Sequence, residues 1–324
     1  MKKALVIRFN AIGDLVLTTP VVEALAAAGY EVHYLVKEVF AELLDYNPHV
    51  HKVWRLKDSL SEVLAHLKKE QFDVVIDLHN NLRSRQVKSA LKAKSYTLKK
   101  DRLNLFLLTK LNINRVKERH IVYRFLDVLK PLGIAVDEPA PQTYIPDAIA
   151  ALWPDTLPAH YLVIVVGAAW ANKEIPTEKI VEIMARTSYR EIVLIGGPAD
   201  KEKARLIVHQ SQRLIHNKVG LLSITQSAHV ISKAAAILSG DTGMMHIAAS
   251  LGTPAVAVYG STHPVLGYTP FYGNHKAQYH IVQNDNLNCR PCTKQGQNQC
   301  PKGHFKCMLD LDIEALVSKI DSFV

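Results

Sequence analysis

Apolar and polar positions follow two rhythms along this chain. KALVIR (residues 3–8), EVHYLV, HKVWRL and DVVIDL are short apolar runs of the length of buried strands. Between them, apolar residues recur at helical spacing over residues 14–28, closed by Gly29, near residues 38–44, and over residues 58–69. Such alternation predicts βαβ units and a parallel sheet. The rhythm weakens over residues 133–158, where Pro139, Pro141, Pro146, Pro154 and Pro158 punctuate the chain, and an interdomain linker is expected there. It restarts with YLVIVVG, a helix from Pro176, EIVLIGG, a helix from Asp200, a short strand near residues 218–221 and a helix from Ser223. AAAILS, a helix from Gly243 and PAVAVYG complete the second series. The pattern repeats in architecture but not residue by residue. Two doubly wound domains follow, residues 1–150 and 151–311, with an amphipathic helix over 312–324 expected to pack back on the first.

Size agrees with that division. A chain of 324 residues, 48% of them hydrophobic, exceeds one ordinary core and suits two of roughly 150 residues. No apolar run approaches the roughly 20 residues that span a bilayer, and MKKALVIRFN reads as a strand and a polar turn rather than a signal peptide, so a cytoplasmic protein is expected. All four cysteines lie between Cys289 and Cys307, too few and too clustered for a secreted disulfide framework. Their spacing, C-x2-C-x7-C-x6-C, offers one CxxC arm suited to zinc and a second pair too widely spaced for an ordinary ribbon. A structural zinc at Cys289, Cys292, Cys300 and Cys307, with His304 as a further candidate ligand, is therefore set behind thiols that staple a loop.

Charge narrows the partners. The formal net charge is +9, and twelve Lys and Arg between Arg83 and Arg119 face only Asp101 and Glu118, so the rest of the chain is close to neutral. Within that segment DRLNLFLLTKLNI mixes cations with Leu and Phe, as a helix on an anionic membrane surface or a grip on a phosphorylated lipid would. A solvated basic face is the plainer alternative. Nucleic acid fits less well, because no aromatic stacking platform is interleaved with the cations.

In doubly wound sheets ligands bind beyond the carboxyl ends of the strands, so the loops there are searched for chemistry. FNAIGDLVLTTP follows the first strand: Gly13 permits a tight turn and Asp14 places a carboxylate at the rim of the expected cleft, or simply complements a helix dipole. GAAWANKEIP carries Lys173, an ammonium in reach of a bound diphosphate or a plain surface lysine. GGPADKE offers Asp200 and Glu202 to ribose hydroxyls or as helix caps. SGDTGMMHIAASLG turns from a buried strand into a helix. Its N–H groups at Thr242 and Gly243 suit a phosphate, and Asp241 suits a sugar hydroxyl, unless Asp241 or Thr242 caps the helix. A dinucleotide dehydrogenase is disfavoured, since FNAIGD lacks the G-x-G-x-x-G that lets a pyrophosphate approach.

Taken in order, IGDLVLTTPVVEAL, DLHNNLRS, GAAWANKEIP, GDTGMMHIAASLGTPAVAVYG and CRPCTKQGQNQCPKGHFKCM resemble glycosyltransferase family 9, the ADP-heptose:lipopolysaccharide heptosyltransferases, across essentially the whole chain. The resemblance implies a GT-B fold, two Rossmann-like domains facing across a cleft, and a metal-independent inverting transferase. By motif position Asp14 is the general base, Lys173 contacts the donor diphosphate, Asp241, Thr242 and Gly243 form the donor turn, and His246 follows it. Asp200 and Glu202 join the donor side, and Gly13, His79, Arg83 and Arg85 the acceptor side. The implied partners are a nucleotide sugar, ADP-heptose above others, and an anionic lipid-linked acceptor reached from the inner face of the cytoplasmic membrane, with no further cofactor. A transferase using another nucleotide sugar, or a nucleotide-sugar epimerase or hydrolase, is the alternative. Two departures stand out: Gly167, Ala168 and Ala169 replace the hydroxyl residues frequent in this loop, and Ile175 replaces the usual aromatic before the proline.

Overall fold

The computed structural model describes residues 1–151 and 157–324. Pro154 of the expected linker lies outside them. The described residues form two compact units, Met1–Lys100 with Arg119–Pro146, and Asp101–Glu118 with Asp147–Val324. The segment Asp101–Glu118, expected in the first domain, thus groups with the second.

The first unit holds five strands, β1 (Lys2–Ile7), β2 (Tyr30–Lys37), β3 (Lys52–Leu56), β4 (Val74–Asp77) and β5 (Lys94–Thr97). All pair in parallel in the order β3-β2-β1-β4-β5. The second holds β6 (Leu162–Val165), β7 (Glu191–Ile195), β8 (Leu214–Asn217), β9 (Ala236–Gly240), β10 (Ala255–Tyr259) and β11 (Tyr279–Gln283), parallel in the order β11-β10-β9-β6-β7-β8. Central strands read as unbroken apolar runs because helices cover both faces of such sheets. Leu5, Val6, Ile7, Val75 and Ile76 in one sheet, and Leu162, Ile164, Ile237 and Leu238 in the other, are fully buried. Each sheet is a doubly wound α/β unit, as the fold-class expectation requires, and each reverses its winding once, between β1 and β4 and between β6 and β9.

Differences from the sequence reading have local causes. The helix expected over 14–28 is two, Ile12–Leu17 and Thr19–Ala27. Pro20 has no N–H for the carbonyl of Val16, and the Thr19 hydroxyl donates to it instead at 2.8 Å. The strand expected at 218–221 lies earlier, at β8. Residues 218–221 turn back through bonds from Lys218 N–H to Leu194 O and Gly220 N–H to Gly196 O. Strand β8 and the unforeseen β5 and β11 are sheet edges, where half-polar sequences such as KSYT suffice. The closing helix, Ile313–Asp321, does not join the first unit: Ile313, Leu316 and Ile320 enter the core of the second, and Asp321 accepts a 2.6 Å bond from the Thr187 hydroxyl. Among the described residues no helix is long and apolar enough to cross a membrane.

Candidate active site

The two winding reversals are where such sheets open a crevice beyond their strands, and the chemistry-bearing loops fall there. Arg8 leaves the end of β1 and donates from Nη1 to Leu78 O at 2.6 Å and from Nε to Asn10 O at 2.8 Å. Its remaining nitrogen pairs with Oδ2 of Asp14 in the first turn of helix Ile12–Leu17, beside buried Gly13. Oδ1 of Asp14 has no hydrogen-bond partner among the described residues.

Beyond β4, buried Asp77 organises the neighbouring loop. Its Oδ1 accepts the N–H groups of His79 (3.0 Å) and Asn80 (2.7 Å), and its Oδ2 accepts the Ser84 hydroxyl and pairs with Lys88, both at 2.8 Å. His79 stands edge-on to Phe9 at 5.0 Å. Burial first, then the charges of Arg8 and Lys100, push the His79 pKa down to about 3, so its imidazole is neutral at physiological pH. Arg83 and Arg85 are exposed on helix Leu82–Leu91. Asp77 was missed as an organiser although it stands in the DLHNNLRS motif, because an apolar run does not reveal that its last residue will be enclosed.

At the second reversal Lys173 and Asp241 meet. The Lys173 ammonium is 2.7 Å from Asp241 Oδ2, which also accepts the hydroxyl of Thr262 at 2.8 Å. Thr262 follows β10 and was not singled out from sequence, although two hydroxyl residues directly after a buried strand in YGSTHP were the available signal. Thr242 stands at the N-cap of helix Gly243–Ser250 without a side-chain bond to its amides, its hydroxyl turned to Ser239 at 2.8 Å. The amides of that first turn are thus not capped by Thr242. His246 is buried in the same helix.

Close approach builds this turn. A Cβ at Gly240 would lie 2.3 Å from Lys173 O, so only glycine lets the lysine loop lie on the end of β9. Asp200 accepts the Gly197 N–H at 2.7 Å and lies so near the end of β6 that a Cβ at Gly167 would overlap its carboxylate at 2.0 Å. Burial, then the nearby charge of Glu174, raise the pKa of Asp200. Lys203 secures the lysine loop, donating to Val166 O (3.0 Å), Ile175 O (2.8 Å) and Glu174 Oε2 (2.9 Å). Glu202 stands apart. It is exposed on helix Lys201–Gln210 and pairs with Arg205 at 2.7 Å, since its side chain emerges on the solvent face of that helix.

Metal donors gather elsewhere. Among the described residues the one trio of His, Cys, Asp or Glu atoms within 4.8 Å of one another is Glu31, His33 and His51, and the cysteines form no such trio. Nδ1 of His33 accepts the Trp54 indole N–H at 3.0 Å, which leaves the hydrogen of the neutral ring on Nε2, 2.8 Å from Glu31. That nitrogen has no lone pair for a cation, and Lys3 already stands 3.6 Å from the same carboxylate oxygen. The trio is a hydrogen-bonded edge of the sheet. All four cysteines are free thiols, with Cys289 Sγ 3.9 Å from His304 Nε2, and burial raises the pKa of Cys292 and pushes that of Cys307 up to about 12.

Comparison with known proteins gives the family and the fold. The chain is 26% identical to lipopolysaccharide heptosyltransferase 1 of Pseudomonas aeruginosa, covering 96% of this chain and 92% of that one. It is 25% identical to lipopolysaccharide heptosyltransferase 1 of Escherichia coli, covering 82% and 89%. Among solved structures, a glycosyl transferase family 9 protein from Veillonella parvula superposes with a TM-score of 0.79 at 22% identity, over 99% of this chain and 97% of that one. The Escherichia coli heptosyltransferase WaaC with ADP does so at 0.71 and 20% identity, over 99% and 100%. The model of the family described as glycosyltransferase family 9 (heptosyltransferase) matches residues 61–302, three quarters of the chain, and with two doubly wound units whose reversals carry Asp14 and Asp241, the chain belongs to that family of enzymes.

Proposed function

We propose that the protein transfers a heptose from ADP-heptose to the inner core of lipopolysaccharide with inversion at the anomeric carbon. The observation that carries this reading is the carboxylate at the first reversal, Asp14, clamped through one oxygen by Arg8 while the other accepts no bond among the described residues. As the acceptor hydroxyl attacks from the face opposite the leaving group, the Asp14 carboxylate takes its proton, the new glycosidic C–O bond forms, and the bond to the diphosphate breaks with its electron pair. The leaving diphosphate needs fixed positive partners, which Lys173 and the amides at Thr242 and Gly243 supply without a metal ion. An ammonium has three donors, so the contact with Asp241 uses only one. Asp241 is then oriented toward donor hydroxyls, with Asp200 beside the same strand ends. Neutral His79 accompanies Asp14 as a hydrogen-bonding group for the acceptor, and Arg83 and Arg85 serve its anionic groups.

The acceptor is lipid-linked, and helix Arg102–Leu111 supports peripheral attachment to the inner face of the cytoplasmic membrane. It buries only Leu108 and exposes Leu103 and Phe106, with Leu111 and Ile113 beyond, among Arg102, Lys110 and Arg115. Replacing Leu103 and Phe106 by serine should reduce sedimentation with anionic vesicles roughly tenfold, by loss of about 1.5 kcal/mol or more of apolar burial. Equal sedimentation of the variant would remove this surface from the reading.

Two measurements test the reaction. ADP should raise the melting temperature more than UDP or GDP, because only a ligand of the folded state stabilises it. A UDP preference would replace the donor. Asp14→Asn should lower turnover on heptose-free lipopolysaccharide by roughly a thousandfold while ADP affinity stays the same, and wild-type turnover would overturn the base. ADP-heptose consumed equally fast without acceptor would instead mark a hydrolase or epimerase.

A further inference from the structure

The cysteine-bearing segment is the one sequence motif that the proposed reaction leaves without a task. Its one buried charged group is a cation, Arg290, set between Cys289 and Pro291 and only 8% exposed. Its donors go almost wholly to main-chain carbonyls. Nε donates to Gly260 O at 2.5 Å, and Nη2 reaches Tyr259 O at 2.7 Å and Thr262 O at 3.1 Å. Nη1 donates to Asn284 O at 2.9 Å, and Nη2 also meets Gln283 Oε1 at 3.1 Å. None of these five acceptors is a carboxylate. A planar guanidinium can bridge several carbonyls in one fixed geometry, which a lysine ammonium cannot copy.

The chain beyond Arg290 continues the same grip. The Cys292 N–H donates to Ser261 O at 3.0 Å. The Gln297 N–H donates to Asn172 Oδ1 at 2.8 Å, and the Asn172 N–H returns a bond to Gln297 O at 3.1 Å. Thus one segment holds the loop that carries Thr262 and, through Asn172, the loop that carries Lys173. Those are the two side chains that converge on Oδ2 of Asp241.

We infer that the cysteine-bearing segment is a positioning element of the donor site, acting through Arg290, which sets Thr262 and thereby the orientation of Asp241. Arg290 touches no substrate in this arrangement; it shapes the loops that do. The inference rests on the donor reading above, and the test separates the two. ADP binding by calorimetry and transfer kinetics are measured on the full chain below its unfolding transition. Failure of the wild-type protein to bind ADP would sink the donor reading itself.

With wild-type binding in hand, Arg290→Gln should raise both the ADP Kd and the donor KM roughly tenfold, the loss expected when a charge-assisted bond network is removed. The acceptor KM should not move, and Arg290→Lys should not restore donor affinity. A purely architectural role would lower the melting temperature and leave the folded fraction with an unchanged donor KM. Should Arg290→Gln not fold, Thr262→Val carries the test, since it deletes only the hydroxyl that reaches Asp241 and should raise the donor KM in the same direction. Folded Arg290→Gln with wild-type ADP affinity, Thr262→Val with wild-type donor KM, or an equal rise in the acceptor KM would overturn the inference.

Discussion

Asp14 takes its cation from the strand immediately before it, whereas Asp241 takes Lys173 and Thr262 from two loops that are distant in sequence. Both carboxylates sit at a winding reversal, and both are held through Oδ2. They differ in where the donors come from. Arg8 is anchored to Leu78 O and Asn10 O, so it pins one oxygen of Asp14, while the enclosed Oδ1 has no partner among the described residues. At Asp241 the two donors that meet on one oxygen are side chains, Lys173 and Thr262, which two other loops bring there. One turn is a local device, and the other is an assembly.

Substitution of the partners should expose that difference, and the largest effect belongs to the assembly. Lys173→Met leaves buried Asp241 without its cation, and breaking one side of such a pair costs about 3 kcal/mol or more. Stability measured by denaturant unfolding should fall by that amount, and ADP affinity should fall with it. The double variant Lys173→Met with Asp241→Asn should recover much of the stability but none of the ADP affinity. Recovery of both would mean that Lys173 serves Asp241 alone.

An intermediate effect should come from the first reversal, through pH. The folded-state pKa of His79 is about 3, below its ordinary 6.5, so between those values the unfolded chain binds a proton that the folded chain refuses. Stability from this group is therefore complete above pH 6.5 and declines as pH falls toward 3. His79→Gln should flatten that decline by about 2 kcal/mol, a figure reduced from the full shift because the ring is only partly enclosed. Burial depresses His33, His229, His263 and His280 in the same direction, but they persist in both proteins and cancel in the difference curve. Equal acid sensitivity of the two proteins would show that His79 is protonated in the fold.

Legibility followed the same division. The strands β1, β4, β6, β7, β9 and β10 were readable because burial on both faces demands unbroken apolar runs, and Asp14 and the Asp241 turn were readable because they directly follow such runs. Edge strands β5 and β11 escaped because an edge tolerates polar residues. Thr262, Lys203 and Arg290 escaped for another reason: their roles arise from partners, the Asp241 carboxylate for Thr262 and main-chain carbonyls for Lys203 and Arg290, that only the folded loops bring within reach. The closing helix was amphipathic on its face, yet amphipathicity names an apolar stripe and not the surface it meets. The resemblance supplied Lys173 as a donor contact, but not the pair it makes with Asp241.

The smallest expected effect is the most discriminating for the boundary of the donor site. Asp200 and Glu202 follow the same strand and read alike in sequence, yet Asp200 lies against Gly167 at the end of β6 while Glu202 spends its carboxylate on Arg205 in solvent. An exposed pair one helical turn apart is screened by water and contributes little. Glu202→Gln should therefore leave both ADP affinity and stability essentially unchanged, whereas Asp200→Asn should weaken donor binding measurably. A drop in ADP affinity for Glu202→Gln would place the ribose nearer helix Lys201–Gln210 than its solvent-facing ion pair allows, and would extend the donor site along that helix.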